Sequence, residues 1–80
     1  MQNENTDMAV IERFEKMLAD NALYFFDVEE FEMIAEHFFN VGQYNKAVNT
    51  IEMARLQHPL SPTFPLKHAQ FLVTLDKLEE

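Results

Sequence analysis

The stretch Phe31–Pro59, FEMIAEHFFNVGQYNKAVNTIEMARLQHP, decides the fold. Phe31, Ile34, Ala35 and Phe38 recur at spacings of three and four, the period of one face of an α-helix. Gly42 breaks the run. Tyr44, Ala47, Ile51 and Ala54 then resume helical spacing, and Pro59 ends it. Ala47 and Ala54 lie seven apart, two turns along one face, so the second helix can approach the first closely. The pattern predicts a helix-turn-helix hairpin with closely packed backbones.

Asp27 followed by Glu30 is a capping-box arrangement, with Glu29 and Glu30 suited to the positive end of the helix dipole. It starts a helix running from about Val28 to Val41, which Gly42 ends as the left-handed residue. The next helix runs from about Tyr44 to Gln57, and His58-Pro59 closes it because proline disfavours helical geometry in the residue before it. Upstream, Met1–Thr6 is polar and expected to fray. Thr6 or Asp7 caps a first helix to about Asp20, with a stripe of Ile11, Phe14 and Leu18 and with Val10 and Met17 alongside. Asn21–Phe26 reads as a packed extended connector, since no other segment could pair with a strand there. Phe26 is placed to staple onto the following helix. Downstream, Ser61-Pro62 offers a cap and a first helical proline. Pro65 would delay the regular part of this fourth helix, which continues to about Leu75.

Composition narrows the function. Eighty residues make one small domain, residues 1–80, whose core is marginal without further contacts. With no cysteine, neither disulfides nor a thiolate metal site can supplement it. Fourteen acidic against six basic residues give a charge of −8, which repels nucleic-acid backbones and anionic membranes alike. No apolar run approaches the ~20 residues that span a bilayer. The polar, acidic start is unlike a secretory signal, and the expected location is cytoplasmic.

A copy of the hairpin pattern recurs 34 residues on: Ala35 maps to Ala69, Phe38 to Leu72, Gly42 to Asp76 and Tyr44 to Leu78. Here the chain resembles the tetratricopeptide repeat (TPR) family. Phe31 stands at the position usually held by tryptophan, Ile34 and Ala35 at the Leu-Gly pair, and Phe38 at the tyrosine. Ala47, Ile51, Ala54 and Pro59 stand at the Ala, Phe, Ala and Pro positions of the second helix. Residues 28–61 therefore match one complete unit, and residues 62–80 the first half of a second. The second match is weaker, since Pro65 and His68 replace bulky apolar residues and Asp76 replaces the glycine. Residues 7–26 do not match, because Arg13 falls where the close-contact alanine should be. They read as an extra helix and connector. The resemblance implies an all-α helical hairpin array, a fragment of a right-handed superhelix with about four helices.

It also implies a protein-interaction scaffold rather than an enzyme. Glu29, Glu32 and Glu36 share one face of the Val28–Val41 helix, with Phe39 at its edge. In the family the equivalent face lines a groove that docks peptides. The matching positions of the fourth helix are Thr63, Leu66, Gln70 and Val73. The expected partner is another protein or peptide, basic and partly apolar, docked by Glu29, Glu32, Glu36, Phe39, Leu66, Gln70 and Val73. The bland alternative is an ordinary solvated face of an acidic protein. Family members that grip a C-terminal carboxylate use lysine and asparagine where Glu32 and Glu36 stand, so that ligand has the wrong charge.

Other chemistry is not signalled. None of His37, His58 and His68 has a glutamate three residues before it, and no His-Glu-x-x-His occurs. No phosphate-binding glycine loop or nucleophile elbow is present. Catalytic, cofactor and metal sites are therefore not expected. The tract Leu23–Phe26 and Met8, Met17, Met33 and Met53 read as packing residues. A rival role is structural. Ala69, Leu72, Val73 and Leu75 have no following helix to cover them. Either the chain is an N-terminal piece of a longer repeat protein, or the 62–75 helix makes a homo-oligomer.

Overall fold

Asp27 opens the hairpin through a reciprocal pair of hydrogen bonds. The Glu30 N–H donates to Asp27 Oδ1 at 2.8 Å, and the Asp27 N–H donates to Glu30 Oε1 at 3.0 Å. Donors that the helix start would otherwise leave unpaired are thus satisfied, as the sequence predicts. The structure, a computed structural model, describes residues 4–79. They form an all-α fold of four helices: α1 (Glu4–Ala19), α2 (Val28–Asn40), α3 (Tyr44–Gln57) and α4 (Thr63–Glu79).

The expected frayed start needs correcting. Met1–Asn3 lie outside the described residues, but the α1 backbone is already helical at Glu4, so neither Thr6 nor Asp7 is its cap. Extending a formed helix costs far less than nucleating one, so α1 runs on into polar sequence.

α1 and α2 end in the same way. At the end of α2 the Gly42 N–H donates to Phe39 O at 3.1 Å and the Gln43 N–H to Phe38 O at 2.8 Å, with Gly42 at φ 87°. At the end of α1 the Asn21 N–H donates to Leu18 O at 3.2 Å and the Ala22 N–H to Met17 O at 3.1 Å, with Asn21 at φ 53°. Both are Schellman closures. Asparagine takes the glycine's part in the first because its short polar side chain tolerates left-handed geometry.

α2 is the centre of the core. Its Phe31, Ile34, Ala35 and Phe38 are buried. α3 meets it along Ala47, Thr50, Ile51 and Ala54, all buried. Thr50 satisfies its hydroxyl internally, donating to Lys46 O at 2.8 Å. A row of phenylalanine rings ties the remaining elements to α2. Phe38 meets Phe14 of α1 at 5.9 Å, Phe14 meets Phe26 at 5.7 Å, Phe26 meets Phe31 at 5.4 Å, and Phe31 meets Phe64 of α4 at 6.1 Å. Such tilted and edge-on pairs each contribute about 0.5–1.5 kcal/mol beyond their buried area. The Phe26–Phe31 contact is the predicted staple.

The connector is extended, with its two faces sharply different. Phe26 is fully buried and Tyr24 half-buried, while Leu23 and Phe25 stand exposed. The expectation that the whole tract packs thus holds only for alternate residues, as the two-residue period of extended backbone requires. Side chains rather than a partner strand satisfy its backbone. Gln57 Nε2–H donates to Tyr24 O at 2.7 Å, and the Phe26 N–H donates to Gln57 Oε1 at 3.2 Å. Arg13 donates to Phe25 O at 3.1 Å and lies over the Phe26 ring at 4.5 Å. His58 Nε2 lies 2.7 Å from Phe26 O, and since a carbonyl only accepts, that nitrogen carries the proton.

Two further expectations are corrected. Leu18, placed on the buried stripe of α1, is exposed, and Met17 is buried instead, because nothing packs over that side of the last turn. α4 begins at Thr63, so Pro62 precedes the helix. The Thr63 N–H donates to Ser61 Oγ at 3.3 Å, and Pro65 sits within the first turn, where no intrahelical bond needs its missing N–H. The helix continues past Leu75 through Asp76 to Glu79.

Candidate docking groove between α2 and α4

α2 and α4 run side by side in the same direction, for Phe31 meets Phe64 and Phe39 meets Phe71. The spacing of both helices turns their next faces towards a common groove. There Glu32 from α2 and Thr63, Leu66, Lys67 and Gln70 from α4 line a shallow depression of about 180 Å³. Three of the residues expected to dock a partner, Glu32, Leu66 and Gln70, therefore meet in one place.

The others fall around it. Glu36 is exposed at the rim and hydrogen-bonds Lys67. Glu29 and Val73 are exposed, but neither lines the depression. Phe39, expected to offer a ligand an apolar surface, is half-buried. Its ring stacks on Phe71 at 4.2 Å, 15° from parallel, and meets the edge of Tyr44 at 4.9 Å. It holds α4 to α2. The exposed apolar surface of the groove comes from Leu66.

Lys67 was not expected there. Its ammonium pairs with Glu36 and stands 3.9 Å from Glu32, while its side chain is only 14% exposed. One cation thus lies between two of the three carboxylates of the strip. Matching residues at a strict offset of 34 aligns Glu36 with Gln70 and passes over Lys67. The ring pairs Phe31–Phe64 and Phe39–Phe71 set α2 and α4 at offsets of 33 and 32 rather than 34. From there a lysine stem needs to reach only a residue or two further along α2 to meet Glu36 at an offset of 31. The two Glu32 and Glu36 carboxylates remain partly open to solvent, and such pairs contribute only about 0–1 kcal/mol.

Among the described residues no three or more histidine, aspartate or glutamate side chains are placed to hold a metal ion, and no helix is long and apolar enough to cross a membrane. No family model, no curated protein and no solved structure matches the chain.

Proposed function

We propose that this chain is a non-catalytic protein-interaction module, built on a TPR-like hairpin, whose α2–α4 groove docks a basic and partly apolar polypeptide segment. The observation that carries the proposal is the meeting of Glu32, Leu66 and Gln70 across two parallel helices, with Glu36 on the rim. Carboxylates beside an exposed leucine suit a segment in which Lys or Arg neighbours an apolar residue, with charge setting specificity and apolar burial adding affinity. The TPR reading is supported by the complete burial of Ala35, Ala47 and Ala54 and by the left-handed Gly42 between α2 and α3. A cytoplasmic setting belongs to the same proposal.

The test is fluorescence anisotropy with a labelled synthetic peptide alternating Lys and Leu, beside a Glu/Leu control. The expected result is saturable binding of the basic peptide, weakened by added salt and by the double variant Glu32→Lys, Glu36→Lys. The variant Glu12→Lys, Glu52→Lys makes the same change in net charge at exposed positions off the groove, and should bind nearly as well as the parent. Equal losses from the two double variants would reduce the groove to general acidity and overturn the proposal.

A further inference from the structure

α4 is apolar on two sides. Its inner side carries the buried Phe64 and Phe71 and the half-buried Leu75, which therefore leaves the open face assigned to it from sequence. The opposite side carries Pro65, Leu66, Ala69, Leu72 and Val73, all exposed, with Leu66 at 62%, Leu72 at 51% and Val73 at 57%. These residues fall at helical spacing and form a second apolar stripe, the pattern of a helix that is covered on both sides.

The stripe is symmetric about its centre. Ala69 has Leu66 three residues before it and Leu72 three after, with Pro65 four before and Val73 four after. A second α4 laid antiparallel, with a two-fold axis through Ala69, sets Leu66 against the partner's Leu72 and Pro65 against the partner's Val73. The two small alanines face each other where the helices come closest. The same operation carries Asp76, seven residues beyond Ala69 and exposed, to the level of the partner's Pro62, just before the first turn of its α4. A carboxylate there meets the positive end of the partner helix, and this happens twice.

We infer that the outer face of α4 is an isologous interface, and that its occupant is the α4 of a second copy of this chain. Leu66 belongs to both surfaces, so a second copy and a docked peptide compete for it, whereas Ala69, Leu72 and Asp76 lie outside the α2–α4 depression and tell the two associations apart. A helical face of this length falls short of the roughly 800 Å² per partner typical of stable complexes, so the dimer is a weak, concentration-dependent one.

Sedimentation of the full chain from micromolar to millimolar concentration tests it. The expected result is a closed monomer–dimer equilibrium with no larger species. Added salt should tighten it, because each copy carries a charge of −8 and screening relieves the repulsion. Salt should weaken a basic peptide in the groove, so the two associations respond with opposite sign. Ala69→Arg should abolish the dimer while circular dichroism shows the helices intact. Asp76→Lys should weaken it by roughly 3- to 30-fold or more, from two lost helix-end contacts. Leu60→Ser, at an exposed apolar site elsewhere, should leave it unchanged. A strict monomer at millimolar concentration, an open-ended polymer, or a dimer that survives Ala69→Arg would overturn the inference.

Discussion

Gln57 holds Phe26 from the far end of the hairpin, its Oε1 accepting the Phe26 N–H at 3.2 Å while its Nε2–H donates to Tyr24 O at 2.7 Å. One side-chain amide thus does for the connector what a neighbouring strand does in a sheet. Replacing Gln57 with Leu strands a carbonyl and an amide that are partly shielded from water. The expected loss is about 1–3 kcal/mol, read as a lower midpoint in urea at an unchanged slope. Gln57→Glu should lose less than Leu but still lose, since a carboxylate accepts from the Phe26 N–H and repels Tyr24 O.

That bond also marks how far the fold was legible in the sequence. α2 and α3 could be read almost to the residue because their signals are local: the capping pair Asp27 and Glu30, the left-handed Gly42, and alanines at fixed spacing. The fates of Leu18 and Phe39 depend on what packs over them, which no local spacing records, whereas those of Leu23 and Phe25 follow from the two-residue period of the extended connector. Periodicity places Phe39 at the edge of the face that carries Glu29, Glu32 and Glu36, yet a ring from α4 claims it. Lys67 was missed for a related reason. A strict offset of 34 passes over it, because α2 and α4 pack at offsets of 33 and 32 and the lysine stem reaches a little further along α2 to Glu36.

Asp27→Ala should cost about 0.5–2 kcal/mol, the usual range for a lost N-cap. It removes the acceptor of the Glu30 N–H, and Glu30 alone retains the return bond to the Asp27 amide. Thermal unfolding followed by circular dichroism measures the change. Asp27→Asn, which keeps an acceptor oxygen, should recover most of the loss.

The two helix-ending positions should respond differently to substitution. Nothing lies within 4 Å of a Cβ added at Gly42, so Gly42→Ala carries a backbone cost alone, about 1–2 kcal/mol for left-handed geometry. At Asn21, glycine eases the same geometry but adds freedom to the unfolded chain. Asn21→Gly should therefore shift stability by less than about 0.5 kcal/mol. Urea midpoints of the two variants, compared side by side, check the asymmetry.

Ala47→Leu should destabilise by roughly 1–3 kcal/mol, since Ala47 is fully buried on the α3 face that meets α2 and extra methylenes must push the helices apart. Ala69→Leu is the informative contrast. The same exchange on the exposed face of α4 should leave the monomer's stability within about 0.5 kcal/mol of the parent. A similar loss at both positions would mean that close approach of α3 to α2 is not what requires Ala47.

Lys67→Gln should separate the groove's internal electrostatics from its docking role. The ammonium lies between Glu32 and Glu36, so an incoming basic side chain must compete with it for the same two carboxylates. Removing the cation leaves them unpaired in a partly open setting, where the stability cost is about 1 kcal/mol at most. On the proposed docking mode, the Lys/Leu peptide should then bind more tightly, by several-fold at low salt, with the advantage shrinking as salt is raised. Anisotropy titrations of the parent and Lys67→Gln chains at two salt concentrations measure this directly. Weaker binding by Lys67→Gln would instead mean that the ammonium contacts the ligand, and that the groove accepts an acidic group beside its own lysine.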